Sequence, residues 1–330
     1  MNDLVDTLHP LTSNFSAQTR GVIGLGIDVG GTKIAAAVVD TMSGRVLSKR
    51  VIPTQPERGG DAVLDDVLEL TRSLLPVARV ARDPTHPMSP VSAIPIGLAV
   101  CELVDGHGHV RSDYTVKWQG LPVHEHLGEL GITPAPAVVE ADIRAHALAE
   151  ARFGAGGAFD PFVFVSVGTG ISSCLVQGGQ PFAGARGNAL VLSTAPLTLV
   201  RDDGSRESQV METFSSGAGI AQRFGVRHAE AVFGAAAHGD QRALQVLTTA
   251  GEALGNSIAF LANVLDPAAI IIGGGLGMTH GVYWDALVRT TREHIWAEST
   301  RDLPIVQAAL GQDAGVIGAA TYATDMLQLR

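Results

Sequence analysis

The chain's 330 residues are enough for two domains, and 46% hydrophobic against 17% charged residues is the balance of a folded globular protein. A net charge of −10 with no basic run argues against a nucleic-acid surface. No apolar run reaches membrane-spanning length, which argues against a membrane partner.

Met1–Arg20 has neither the basic start nor the apolar core of a signal peptide and reads as a flexible polar tail, too short for a helix-turn-helix. Apolar strands over Val22–Val29, Ile34–Val39 and Val46–Ile52 suggest a meander. A helix is predicted from Gly60 to Leu75, with Val63, Leu64, Val67, Leu70 and Leu74 at helical intervals. Five prolines between Pro76 and Pro95 make that segment an irregular surface connection. Ile96–Val100 reads as a buried strand, and Val138–Glu140 as a strand leading into a helix from about Ala141 to Phe153. Gly154–Gly157 reads as a flexible break. Beyond it come apolar strands at Phe162–Val167, Ile171–Val176 and Ile270–Ile272, and a helix over Val282–Ile295. The two cysteines, Cys101 and Cys174, lie far apart and suggest reduced, buried thiols in a cytoplasmic protein.

Three of these strands end in glycine turns. The first runs Asp28-Val29-Gly30-Gly31-Thr32-Lys33, between two apolar runs, and reads as a hairpin. Its glycines let backbone N–H groups face an anion, Thr32 and Lys33 add a hydroxyl and a cation, and Asp28 can hold hydrated Mg²⁺. That set suits the phosphates of a nucleoside triphosphate, although an ordinary hairpin turn would also use these residues. It is neither a Walker loop nor a dinucleotide fingerprint. The second turn is Gly168-Thr169-Gly170 and the third Gly273-Gly274-Gly275.

These junctions, in this order, resemble the actin-like ATPase superfamily and within it the ROK group of sugar kinases and repressors. The likeness extends over Pro136–Asp142, Glu212–Gly217, Ala262–Pro267 and Asp313–Ala320. It implies an α/β, two-lobed, ribonuclease H-like fold with a central nucleotide and substrate cleft. Residues 1–20 would be the tail, 21–141 plus about 315–330 the small lobe, and 142–314 the large lobe. It implies ATP with Mg²⁺, a sugar or polyol acceptor, and a homodimer. Asp28 would organise Mg²⁺ through water. The Gly30, Gly31, Thr32, Lys33 turn and Gly168, Thr169, Gly170 would hold the phosphates, while Gly273, Gly274 and Gly275 with Ser216 and Gly217 would border the nucleoside. Asp142, at the opening turn of a helix, could be a residue that merely complements the helix dipole; the resemblance makes it the general base. Asp113, Tyr114, Glu140, Asn188 and Val191 would face the acceptor with Asp142.

The chain departs from the family's pattern at the sugar. Ala141 replaces an Asn, and Val191 and Thr194 stand where a Glu and a zinc-ligating His belong. No cysteine occurs in Arg201–Gln209, so no zinc site is expected. His107, His109, His124 and His126 read as surface-loop histidines without metal-site spacing. With Asp28, Thr32, Asp142, Gly168 and Thr169 retained, a working kinase is favoured over a non-catalytic ligand-binding regulator. The altered pocket points to the primary hydroxyl of a C7-cyclitol of antibiotic biosynthesis, or alternatively of kanosamine, another aminosugar or a hexose.

Overall fold

In the computed structural model, residues 22–82, 94–130, 137–200 and 203–328 are described; the expected N-terminal tail lies outside them. β1 (Ile23–Val29) and β2 (Lys33–Asp40) form the predicted hairpin, with Val29 opposite Ile34. β3 (Arg45–Pro53) pairs antiparallel on β2. β4 (Ile96–Val100) and β5 (Ala137–Ala141) add in parallel, giving the order β3-β2-β1-β4-β5. β4 is buried throughout, as a parallel strand covered on both faces must be.

α1 (Gly60–Arg82) covers one face of this sheet, and α2 (Val123–Leu130) follows β4. The prediction that α1 ends at Leu75 is corrected: the helix runs through Pro76 to Arg82. Proline within a helix costs about 3 kcal/mol. Here the apolar stripe simply continues through Leu74, Leu75 and Ala78, all buried, and packing wins. Of the expected irregular connection, residues 83–93 lie outside the described residues.

The chain crosses to a second sheet through α3 (Asp142–Phe153). That sheet contains β6 (Phe162–Val167), β7 (Ile171–Gln177) and the short β8 (Gln180–Pro181). A ribbon of β9 (Pro196–Val200) and β10 (Arg206–Val210) then leads to helices α4 (Met211–Ser215), α5 (Gly217–Phe224), α6 (Ala229–Ala237) and α7 (Gln241–Leu265). β11 (Ala269–Gly273), α8 (Gly274–Gly277), α9 (Val282–His294) and β12 (Ile305–Gln307) complete it, in the order β12-β11-β6-β7-β8. α10 (Ala314–Gln328) returns to the first sheet. It lies so close that a Cβ on Gly26 or Gly97 would run into the carbonyls of Val316 and Ala319.

α3 is wedged between the sheets: Ala149 packs with Ala37, Val316 and Ile317, and Ala147 with Phe164 and Ile271. The chain passes between the sheets twice, after β5 and after β12, and one side chain joins the two passages. The buried Glu150 carboxylate accepts hydrogen bonds from Ala155 N (2.8 Å), Ala309 N (3.0 Å) and Leu310 N (2.8 Å). This corrects the reading of Gly154–Gly157 as a flexible break. Ala155–Ala158 is a 3-10 turn, and a Cβ on the buried Gly156 would lie 2.6 Å from the Phe162 ring. These glycines permit packing. Among the described residues no helix is long and apolar enough to cross a membrane.

Candidate active site

The first glycine turn closes where β1 ends: Gly30 N donates to Lys33 O (3.0 Å). Buried Thr54 clamps it, donating its hydroxyl to Gly30 O (2.6 Å) and its N–H to Thr32 O (3.1 Å). Gly31 and Thr32 stand exposed at the tip, and Lys33 Nζ donates to Gln312 Oε1 (3.0 Å) beside the start of α10.

Below this turn three titratable groups meet. His146 Nε2 lies 3.7 Å from Asp28 Oδ2, and His146 stands one helical turn after Asp142 on α3. Burial pushes the Asp142 carboxyl up to about 6; the His146 charge opposes this and the Asp28 charge adds to it. For His146 burial opposes the charged form, but Asp28, then Asp142 and Glu150, outweigh it and hold the imidazolium above its ordinary range. Cys101, directly after β4, has its thiol pushed up to about 12 by burial and the Asp142 charge, which leaves it inert as a nucleophile.

The segment carrying Asp113 and Tyr114 is brought to this turn by the buried Glu102. Its carboxylate accepts from the Ser112 hydroxyl and from the N–H groups of Tyr114 (3.0 Å), Thr115 (2.5 Å) and Val116 (2.9 Å). A Cβ on Gly31 would lie 3.2 Å from the Thr115 methyl, so segment and turn are in near contact. Asp113 and Tyr114 are exposed there. Glu140 is engaged otherwise: it pairs with Arg144 (Nε–Oε1 2.6 Å), and burial, opposed by Arg144, raises its proton affinity. Arg144, itself buried, also donates to Gly187 O (2.8 Å) and Val104 O (2.6 Å), fixing the loop that carries Asn188 and Val191. Both of those are exposed, as is Thr194.

The other two glycine turns converge on α5. Gly168 N closes its turn on Gly170 O (2.9 Å), Gly217 N donates to Gly168 O (2.8 Å), and Ala218 N to Thr169 O (3.2 Å). Ser216 caps α5 by accepting from Gly219 N (3.1 Å). Gly274 has φ +79° and sits on the backbone of Val167, where a Cβ would collide, and Gly275 lies beside Gly168. Glu212 accepts from Ile171 N (2.8 Å) and steadies the same turn.

Sequence reading missed Glu102, Arg144, His146 and Glu150. A signal existed for three of them, because Asp142–His146 and His146–Glu150 are four-residue steps along α3, and Arg144 stands four residues after Glu140 at the end of β5. The histidine reading is corrected in part: His124 and His126 stand on α2, not on a loop. The His109 and His124 rings meet edge-on at 5.6 Å. Among the described residues no group of three or more His, Cys, Asp or Glu is placed to hold a metal ion.

The sequence matches the ROK family over residues 24–326, and the chain belongs to that family. It is 30% identical to a glucokinase of Halalkalibacterium halodurans, covering 89% of this chain and 92% of the relative. It is 29% identical to an N-acetylmannosamine kinase of Escherichia coli O157:H7, covering 91% and 97%. The fold superposes with a TM-score of 0.72 on a ROK glucokinase from Streptomyces griseus in complex with glucose and AMPPNP, at 26% identity over 92% of this chain and 99% of that one. The two sheets, with α3 and α10 between them, are the α/β actin-like architecture expected from the sequence.

Proposed function

We infer that this enzyme transfers the γ-phosphoryl group of ATP to a primary hydroxyl of a hexose, aminosugar or C7-cyclitol. The observation that carries this reading is the Asp142 carboxylate at the end of β5, coupled to Asp28 and His146 below an exposed glycine turn. In the transfer, the acceptor oxygen bonds to the γ-phosphorus, the bond from that phosphorus to the β,γ-bridging oxygen breaks, and ADP leaves. The acceptor proton passes to an Asp142 carboxylate oxygen.

The donor set fits a hydrated magnesium ion, since Asp28 offers a carboxylate beside the phosphate-facing turn without a closed cage of ligands. Bound there, Mg²⁺ would draw negative charge from the phosphate oxygens. The chain's own work is positioning: Gly31 and Thr32 offer N–H groups to the phosphates, His146 steadies Asp28, and Glu102 places Asp113 and Tyr114 near the acceptor. The kinase names of the relatives support phosphoryl transfer; the cyclitol rests on Ala141, Val191 and Thr194 alone.

The test is ADP release from purified protein with ATP, Mg²⁺ and a panel of glucose, N-acetylmannosamine, kanosamine and a C7-cyclitol, with ³¹P NMR of the product. Acceptor-dependent ADP with a primary phosphate ester is the expected result. ADP release that no acceptor accelerates would overturn it.

A further inference from the structure

A cavity of about 420 Å³ opens between two loops, Asp105–Arg111 after β4 and Gly184–Ala189 after β8, and is lined by Asp105, His107, Arg111, Arg186 and Asn188. That volume suits a small ligand. Its base is built. The Arg144 guanidinium donates to Val104 O, at the root of the first loop, and to Gly187 O within the second. Gly187 has φ +81° and a Cβ on it would collide with the Val104 carbonyl, so the loops touch there. Arg144 is near enough to Asp142 for its charge to favour the ionised carboxylate, which ties the base of this cavity to the proposed transfer site.

The charges within it do not cancel. The Asp105 carboxylate is turned into its own loop, where it accepts from His107 N (2.8 Å), His109 N (3.1 Å) and Arg111 Nε (2.7 Å). Burial works against that charge, yet these N–H groups and Arg111 hold the carboxyl well below its usual range. Asp105 and Arg111 therefore neutralise each other. What remains facing the cavity is the exposed Arg186, which no carboxylate approaches among the described residues, flanked by the exposed His107 ring and Asn188 amide. A guanidinium is donor-only, and its planar fork matches a carboxylate or phosphate through paired hydrogen bonds. A neutral hydroxyl edge would instead call for acceptors as well.

We propose that Arg186, with Asn188 and His107, binds an anionic group carried by the acceptor, so that the natural acceptor is a carboxylated or phosphorylated sugar or cyclitol. This rests on the kinase reading above and narrows its acceptor class.

The experiment compares kcat/KM for two matched pairs: glucose 1-phosphate against glucose, and N-acetylmuramic acid against N-acetylglucosamine. Both anionic members keep a free primary hydroxyl; the first carries a phosphate and the second a carboxylate. The native protein should prefer at least one anionic member over its neutral parent. Arg186→Gln should lower that anionic-to-neutral ratio by roughly 10- to 100-fold, the size of a lost hydrogen-bonded charge contact. Arg186→Lys should retain part of the ratio, and rising salt should erode it. Neutral parents preferred in both pairs, or a ratio unmoved by Arg186→Gln, would overturn the proposal. Should no acceptor of any charge support ATP turnover, the kinase reading fails separately. Titration calorimetry with the two anionic compounds then decides this site: binding that Arg186→Gln weakens supports it, and no binding to the native protein overturns it.

Discussion

The two halves of the candidate site are made of opposite materials. Around Asp28 and Asp142 the first sheet and α3 bring charged side chains together: burial raises the proton affinity of Asp142, and the neighbouring carboxylates raise that of His146 against its burial. Around Gly168, Gly217 and Gly274 side chains are missing, and backbone meets backbone at hydrogen-bonding distance. A substitution in the first half should therefore alter chemistry while sparing the fold. One in the second should disturb the fold first and activity through it.

The sharpest test of that contrast is Asp142→Asn. The change is isosteric and keeps an acceptor for Ile143 N, which Asp142 Oδ1 now receives at 2.6 Å. Turnover should drop on the order of 10²- to 10⁴-fold, the usual size for loss of a general base. Nucleotide affinity and the unfolding midpoint should hold. Steady-state kinetics beside nucleotide titration checks both, and unchanged turnover would remove Asp142 from the mechanism.

Gly274→Ala tests the other half. Its φ of +79° disfavours any Cβ, and the collision is with Val167 backbone, which cannot rotate away. A loss of about 2–3 kcal/mol in unfolding free energy is expected, typical of forced backbone strain. Denaturant unfolding reads it directly. A variant as stable as the parent but catalytically impaired would mean that these glycines face ligand and not one another.

That division of materials also decides what was legible in the sequence. A glycine turn is written in consecutive residues, so the hairpin around Gly30–Lys33 and the strand Ile96–Val100 could be read almost to the residue. Local rules failed where tertiary packing overrode them, at Pro76 within α1 and at Gly156 beneath Phe162. The charged half was half-legible. Asp28 and Asp142 stand at strand ends, but the partners that define their neighbours lie far along the chain: Arg144 reaches Gly187, and Glu150 reaches Ala309 and Leu310. The sequence alone does not mark these α3 residues, because nothing local reveals that both faces of α3 are covered.

Glu150→Gln probes the joint between the halves. An amide can present one oxygen, but its NH₂ then faces backbone N–H groups that the second carboxylate oxygen now serves. Losing one charge-assisted hydrogen bond costs about 1.5–3 kcal/mol, and a destabilisation near 2 kcal/mol is expected by denaturant unfolding. If stability is unchanged, the two passages between the sheets are held by packing alone.

The smallest effect is also the most specific. With the Asp142 carboxyl at about 6, the base is occupied by its proton below that pH and free above it. The kcat/KM of the free enzyme should therefore rise about tenfold per pH unit on the acid side and level off above about pH 6. His146 gives the sign of a second measurement. Its positive charge favours ionised Asp142, so His146→Gln should move the midpoint of this limb to higher pH, while leaving Asp142 as the group that titrates. A profile flat from pH 5 to 8 would show that no titrating base limits the reaction. A midpoint displaced to lower pH in His146→Gln would show that burial, relieved by the substitution, outweighs the lost charge.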